Sequence, residues 1–239
     1  MIKGVIFDLG HTLICLDAQE GEVAEQGAAS LAAFLVKRGF ALDAAAFGRA
    51  FLERRRLFRE RARAERVEYT AELALRTTLA EFGYPEVEAE VVARGLEVFF
   101  APEEAHWKAC PDALSTVQRL SKAGYRLGLI SNATDDGVVQ RLVDKAGFRP
   151  WFDPIISSAS VGIRKPDPAI FRMVLDKWGI AAREAVMVGD DPEADILGAR
   201  LTGMRSILVR RSNDPVDAQI VPDAEVTRLS QLPEVIASL

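Results

Sequence analysis

At 239 residues, 49% hydrophobic and 27% charged, the chain is long enough to bury a substantial core and too balanced in composition to be disordered. One core domain with a smaller inserted unit is the natural expectation at this length. A formal net charge of -5 supplies no electrostatic reason to bind nucleic acid or an anionic membrane, and no apolar stretch approaches the length of a bilayer span.

Met1–Phe7 is shorter than the apolar core of a secretory signal and lacks a small-residue cleavage site, so the cytoplasm is the expected compartment. Cys15 and Cys110 are the only cysteines, with no CxxC spacing and two histidines in the chain, so neither a disulfide framework nor a Cys/His zinc site is expected.

In chain order, Val5–Phe7 is a short run, apolar on both faces, that ends at Asp8. From about Ala18 to Ala101 the composition turns to Ala, Glu, Arg and Leu, with no clear strand signal before Val91–Phe100. This stretch reads as several helices, with breaks at Gly39 and at Gly83-Tyr84-Pro85. Within it, Arg54, Arg55, Arg56, Arg59, Arg61, Arg63 and Arg66 are interleaved with Glu53, Glu60 and Glu65. The pattern favours a solvated helix carrying local ion pairs over arginines that face a phosphorylated substrate. His106 and Trp107 follow near the expected hinge of the insert, where either can line an entrance, with packing the expected role of Trp107.

Pro111–Ala123 carries Leu114, Val117 and Leu120 on one face and is closed by Gly124. Arg126–Ile130 is apolar and runs into Ser131 and Asn132; Pro154–Ile156 runs into Ser157. Pro168–Trp178 repeats Ile170, Phe171, Val174, Leu175 and Trp178 at helical spacing and stops at Gly179. Ala185–Val188 runs into Gly189 and Asp190, Pro192–Leu201 reads as a further helix, and Ser206–Val209 as a fifth strand. Short apolar strands alternating with helices of this length predict an α/β fold, a doubly wound parallel sheet whose ligands bind beyond the carboxyl ends of the strands.

Polar residues gather at those ends. A carboxylate leaving a buried strand, as in Phe7-Asp8-Leu9-Gly10-His11-Thr12, can attack phosphorus, although an isolated Asp-x-Gly more often caps a turn. Its companions are Ser131-Asn132, Lys165 in Arg164-Lys165-Pro166-Asp167, and Gly189-Asp190-Asp191-Pro192-Glu193-Ala194-Asp195. Carboxylates from Asp8, Asp190 and Asp191 crowded together are costly without a cation, and hard oxygen donors favour Mg²⁺. Ser131 and backbone amides near Asn132 can donate to phosphate oxygens, and Lys165 adds a fixed positive charge.

In this order, these four motifs resemble the signature motifs of the haloacid dehalogenase-like superfamily. The resemblance implies a Rossmann-like core over residues 1–17 and 102–239, with residues 18–101 as a helical cap of the C1 type. It implies a Mg²⁺-dependent phosphatase acting on a small phosphorylated metabolite, with Asp8 as nucleophile and Ser131, Asn132 and Lys165 on the phosphate. Asp8, Asp190 and the Gly10 carbonyl would hold the metal, with Asp191 or Asp195 orienting metal-bound water. Asp195 reads equally well as an acid favoured at a helix N-terminus.

The first motif departs from the pattern. Phosphatases of this family usually carry a second Asp where this chain has Gly10, and that residue serves as general acid and base. Its loss costs about 10²–10⁴-fold in rate. His11 taking over the proton, a substrate with a good leaving group, or lost turnover with retained phosphate or metal binding are the three explanations. A 2-haloacid dehalogenase also lacks the second Asp and needs no metal, but the acidic Asp190-Asp191 pair argues against it. A phosphotransferase and a non-catalytic binding protein are the remaining readings. The physiological substrate and the oligomeric state are not legible.

Overall fold

Residues 1–210 and 219–239 are described by the computed structural model. Strand β1 (Gly4–Phe7) is buried along its whole length, as a run apolar on both faces requires. A short β2 (Ile14–Leu16) follows, then four helices: α1 (Glu20–Lys37), α2 (Ala44–Glu65), α3 (Ala71–Glu81) and α4 (Ala89–His106). The chain returns through β3 (Trp107–Ala109), which pairs antiparallel with β2. It continues as α5 (Ala113–Lys122), β4 (Arg126–Ser131), α6 (Asp136–Lys145), β5 (Ile155–Ser157), the single turn α7 (Ser158–Val161) and α8 (Pro168–Trp178). Strand β6 (Ala185–Gly189), a π-helical turn (Pro192–Leu197) merging into α9 (Gly198–Thr202), β7 (Arg205–Val209), β8 (Ala224–Val226) and α10 (Leu232–Ser238) complete the described fold.

Among the described residues the main sheet has the order β5-β4-β1-β6-β7-β8, and every pairing is parallel. The chain runs outward from β1 in both directions, so the crevice beside the β1 tip is the switch point where doubly wound sheets bind ligands. Two apolar clusters cover the two faces of the sheet. On one face the indole of Trp178 lies so close to β1 and β4 that a Cβ at Gly4 would be 2.4 Å, and one at Gly128 2.9 Å, from its ring. Only glycine admits that approach.

The five expected strands form, each within one residue of its expected bounds. The insert is helical throughout, so Val91–Phe100, its one strand-like segment, lies inside α4, which continues to His106. Side-chain caps start two of these helices: Asp43 accepts from the Ala46 amide at 2.6 Å, and Thr70 from the Leu73 amide at 3.2 Å. The helix expected over Pro192–Leu201 opens as the π-helical turn, with Asp191 as its cap.

Cys15 and Cys110 correct the expectation about cysteine, because they form a disulfide. Cys15 lies in β2 and Cys110 immediately follows β3, the two strands through which the chain enters and leaves the helical insert. Their proximity is created by the antiparallel pairing of segments far apart in sequence. The insert meets the core a second time at the loop between α2 and α3. There Val67 bridges Ile163, Glu68 N donates to Gly162 O at 2.9 Å, and Arg164 N donates to Arg66 O at 3.3 Å. Among the described residues no helix is long and apolar enough to cross a membrane.

Candidate active site

Asp8 follows β1 directly, and its amide donates to Val188 O of β6 at 2.9 Å, which fixes the carboxylate above the sheet. The carboxylate is nearly buried and accepts from Lys165 Nζ at 2.7 Å. Lys165 is itself buried and donates a second bond to Asp195 at 2.6 Å. Burial alone would lower the pKa of this ammonium, but the charges of Asp195 and Asp8 outweigh it and hold the pKa above the usual value. Lys165 is therefore a fixed cation clasped between two carboxylates.

Asn132 positions that cation. Its side-chain amide donates to Lys165 O at 2.9 Å, and its carbonyl oxygen accepts from Lys165 N at 2.9 Å. The Asn132 side chain is thus engaged by the Lys165 backbone. Ser131, the last residue of β4, is buried at the next strand tip. The amide of Ala133 is already committed to Ser158 Oγ at 2.9 Å.

Asp190 follows β6 and accepts from Thr12 Oγ1 at 3.0 Å. Burial first, and the Asp8 charge second, push its carboxyl up to about 6. Asp195 is completely buried, and desolvation raises its pKa against the pull of Lys165. It packs onto β6 so tightly that a Cβ at Gly189 would lie 2.0 Å from its carboxylate. Carboxylate oxygens of Asp8, Asp190 and Asp195 lie within 4.8 Å of one another. Their crowding, with a carboxyl pKa raised by a neighbouring carboxylate, suits a hard divalent cation. Asp195 thus belongs to the acidic group itself while also standing in the first turn of the helical segment, where the sequence expected an acid, but buried rather than in solvent. Asp191 caps the following turn, accepting from the amides of Glu193 at 2.9 Å and Ala194 at 3.0 Å.

Asp8, Asn132, Lys165, Asp190, Asp191 and Asp195 line one cavity of about 520 Å³ between the strand tips and the insert, together with Gly10 and Ser131. His11 also lines it, held by a 3.2 Å contact from Nε2 to Glu20 and by the Trp107 ring at 5.0 Å. The Glu20 contact is the main cause that raises its pKa. Trp107 lines the cavity too, whereas His106 turns to Asp17 at 2.8 Å.

From the insert, α2 contributes Arg55, Arg59 and Arg63 to the same cavity. The expected solvated helix with ion pairs holds for the other faces, where Arg54, Arg56 and Arg61 pair with Glu81, Glu53, Glu60 and Glu65. It fails for these three. A sequence signal was available: Arg55 and Arg59 have no acidic residue three or four positions away.

A doubly wound sheet with an acidic, lysine-bearing pocket at its switch point, roofed by an inserted helical cap, defines a capped α/β hydrolase. The chain belongs to the haloacid dehalogenase-like hydrolases, with the family match running over residues 2–203. It is 38% identical over 140 residues to a phosphoserine phosphatase of Thermus thermophilus, covering 59% of this chain and 56% of that one. A glyceraldehyde 3-phosphate phosphatase of Methanopyrus kandleri is 27% identical over 249 residues, covering 100% of this chain and 99% of the other. Among solved structures, a 2-haloacid dehalogenase from Pseudomonas syringae pv. tomato superposes with a TM-score of 0.76 at 30% identity, covering 100% of this chain and 99% of that one.

Proposed function

We propose that the protein is a Mg²⁺-dependent phosphatase that hydrolyses a small phosphate monoester or acyl phosphate through an aspartyl-phosphate on Asp8. The observation that carries this reading is the acidic group of Asp8, Asp190 and Asp195 around a single lysine. Three carboxylates against one ammonium leave negative charge that a phosphate substrate would increase, so the site calls for a cation before it can accept one. Asp8, Asp190 and the Gly10 carbonyl would hold that metal, supported by Asp191 and Asp195. Bound there, it supplies positive charge that offsets repulsion between Asp8 and the phosphate.

The remaining chemistry falls to the chain. An Asp8 oxygen attacks phosphorus in line while the bond from phosphorus to the leaving oxygen breaks, and the leaving group departs with a proton. Water then attacks the aspartyl-phosphate, releasing inorganic phosphate and regenerating the carboxylate. Lys165 and the Ser131 hydroxyl neutralise and orient the phosphoryl oxygens, and Asn132 holds Lys165 in place. Because Gly10 offers no proton, good leaving groups are favoured, and His11, lining the same cavity, is the proton donor at hand. The insert, from about residue 18 to the end of α4 at His106 rather than at residue 101, acts as the cap that excludes water over the sheet core.

Phosphatase relatives on phosphoserine and glyceraldehyde 3-phosphate support a small phosphorylated metabolite as the substrate class. That class suits the cytoplasm, although the Cys15–Cys110 disulfide is unusual for a reducing compartment.

Phosphate release from p-nitrophenyl phosphate and acetyl phosphate tests the reading. Release is expected with Mg²⁺, and loss of about 10³-fold or more with EDTA or in Asp8→Asn. Release unaffected by both changes overturns it. One second reading has its own support: the 30% identity to the dehalogenase over the whole chain, together with Gly10. It requires metal-independent chloride release from 2-chloropropionate.

A further inference from the structure

The three cavity-facing arginines of α2 stand at four-residue intervals, so they form one stripe along the helix. Among the described residues, none of Arg55, Arg59 and Arg63 forms a salt bridge or a hydrogen bond, whereas Arg54, Arg56 and Arg61 are all paired. Arg55 is the most unusual. Its guanidinium lies over the rings of Phe99 at 4.5 Å and Phe100 at 5.2 Å, and its buried Nε has no partner. Burial lowers its pKa to about 10. Holding a cation dehydrated in this way is costly unless an anion completes it.

The opposite wall of the cavity is where the phosphate would sit, beside Asp8 and Lys165. We propose that Arg55, Arg59 and Arg63 form a second anion subsite, so that the substrate is a small phosphate ester carrying a distal carboxylate. This deepens the phosphatase reading and rests on it for the phosphate end. Two acids, Glu20 of α1 and Glu103 of α4, share the cap side of the cavity. Three guanidinium charges against two carboxylates leave one, which matches a carboxylate better than the roughly two charges of a second phosphate. A planar guanidinium, lying over the Phe99 and Phe100 rings, also matches the fork of a carboxylate.

The test compares 3-phosphoglycerate with glycerol 3-phosphate, which differ only in a carboxylate against a hydroxymethyl group. With Mg²⁺ present, kcat/KM for 3-phosphoglycerate is expected to exceed that for glycerol 3-phosphate by about tenfold or more, and Arg59→Gln to erase most of that ratio. Arg59 is exposed and lines the cavity, so this variant does not depend on refilling the half-buried Arg55 site. Asp8-dependent turnover of both esters with equal kcat/KM overturns the subsite and leaves the phosphatase standing. A preference for fructose 1,6-bisphosphate over both overturns the carboxylate assignment.

Absence of Asp8-dependent release from any ester overturns the phosphatase reading, and binding then decides the subsite. Calorimetry with phosphonoacetate and ethylphosphonate is expected to show tighter binding of the carboxylate-bearing ligand, lost in Arg59→Gln. Equal affinities overturn the subsite.

Discussion

A side chain at position 10 would point toward Trp107, whose ring carbon Cη2 would lie 3.6 Å from its Cβ. That is ordinary contact, and Gly10 is not among the positive-φ glycines, so the backbone accepts a larger residue. Gly10→Asp is therefore expected to supply the missing proton donor. Turnover of alkyl phosphates should rise by about 10²-fold, with a much smaller gain for acetyl phosphate, whose leaving group needs no proton. Steady-state kinetics on the two substrate types checks this. Gly189 is the opposite case, because a methyl group there collides with the Asp195 carboxylate. Gly189→Ala is expected to break the buried Lys165–Asp195 pair at a cost of about 3–5 kcal/mol, read from urea unfolding. At this scale the sequence carried much of the site, since Asp8, Ser131 and Asp190 follow apolar runs at strand tips, and Lys165 stood out by the motif around it rather than by a strand, lying in the loop between α7 and α8. The engagement of Asn132 with the Lys165 backbone was not legible, because it depends on the contact between two loops 33 residues apart.

At the scale of elements, β2 and β3 are too short to announce themselves. Each has three residues, and their pairing joins segments on either side of the whole insert. For the same reason the disulfide was invisible: Cys15 and Cys110 are 95 positions apart, and only the hairpin brings them together. A bond closing so long a loop removes considerable freedom from the unfolded chain, by about 2–4 kcal/mol in typical cases. Dithiothreitol is expected to lower the unfolding free energy by that amount in the native protein and to have no effect on Cys15→Ser. By contrast, the core helices were legible because apolar residues recur at helical spacing, the sheet strands because they are short runs apolar on both faces, and the insert helices from composition and turn breaks alone. The π-helical turn at Pro192–Leu197, which carries Asp195 onto β6, was not, since its sequence reads as an ordinary helix.

Across the whole molecule, charge balance at the strand tips links stability to pH and metal. The carboxyl of Asp190 is raised to about 6 in the folded protein, above an unfolded value of roughly 3.9. The folded state then holds the proton more tightly, so this group makes the metal-free protein less stable as pH rises from about 4 through 6. A bound cation reverses that effect by favouring the ionised form. Excess MgCl₂ is therefore expected to raise Tm by several degrees near about pH 7.5 and by little near about pH 5, relative to EDTA, in thermal unfolding. An equal shift at both pH values would show that Asp190 is not part of the metal-linked group.

The cap is attached to the core by the stapled β2–β3 hairpin and, separately, by the contact of Val67 with Ile163. The second attachment includes the buried Glu68, which accepts from Ser158 Oγ at 2.6 Å and faces Arg164 at 3.4 Å. Arg164 is the residue before Lys165. A door hung on the hairpin therefore has its latch fastened to the strip of chain that carries the central cation of the site. Any opening of the cap about the hairpin would strip the neighbours from that strip, because the contacts that hold the cap down also flank the lysine loop beneath the α2 arginines.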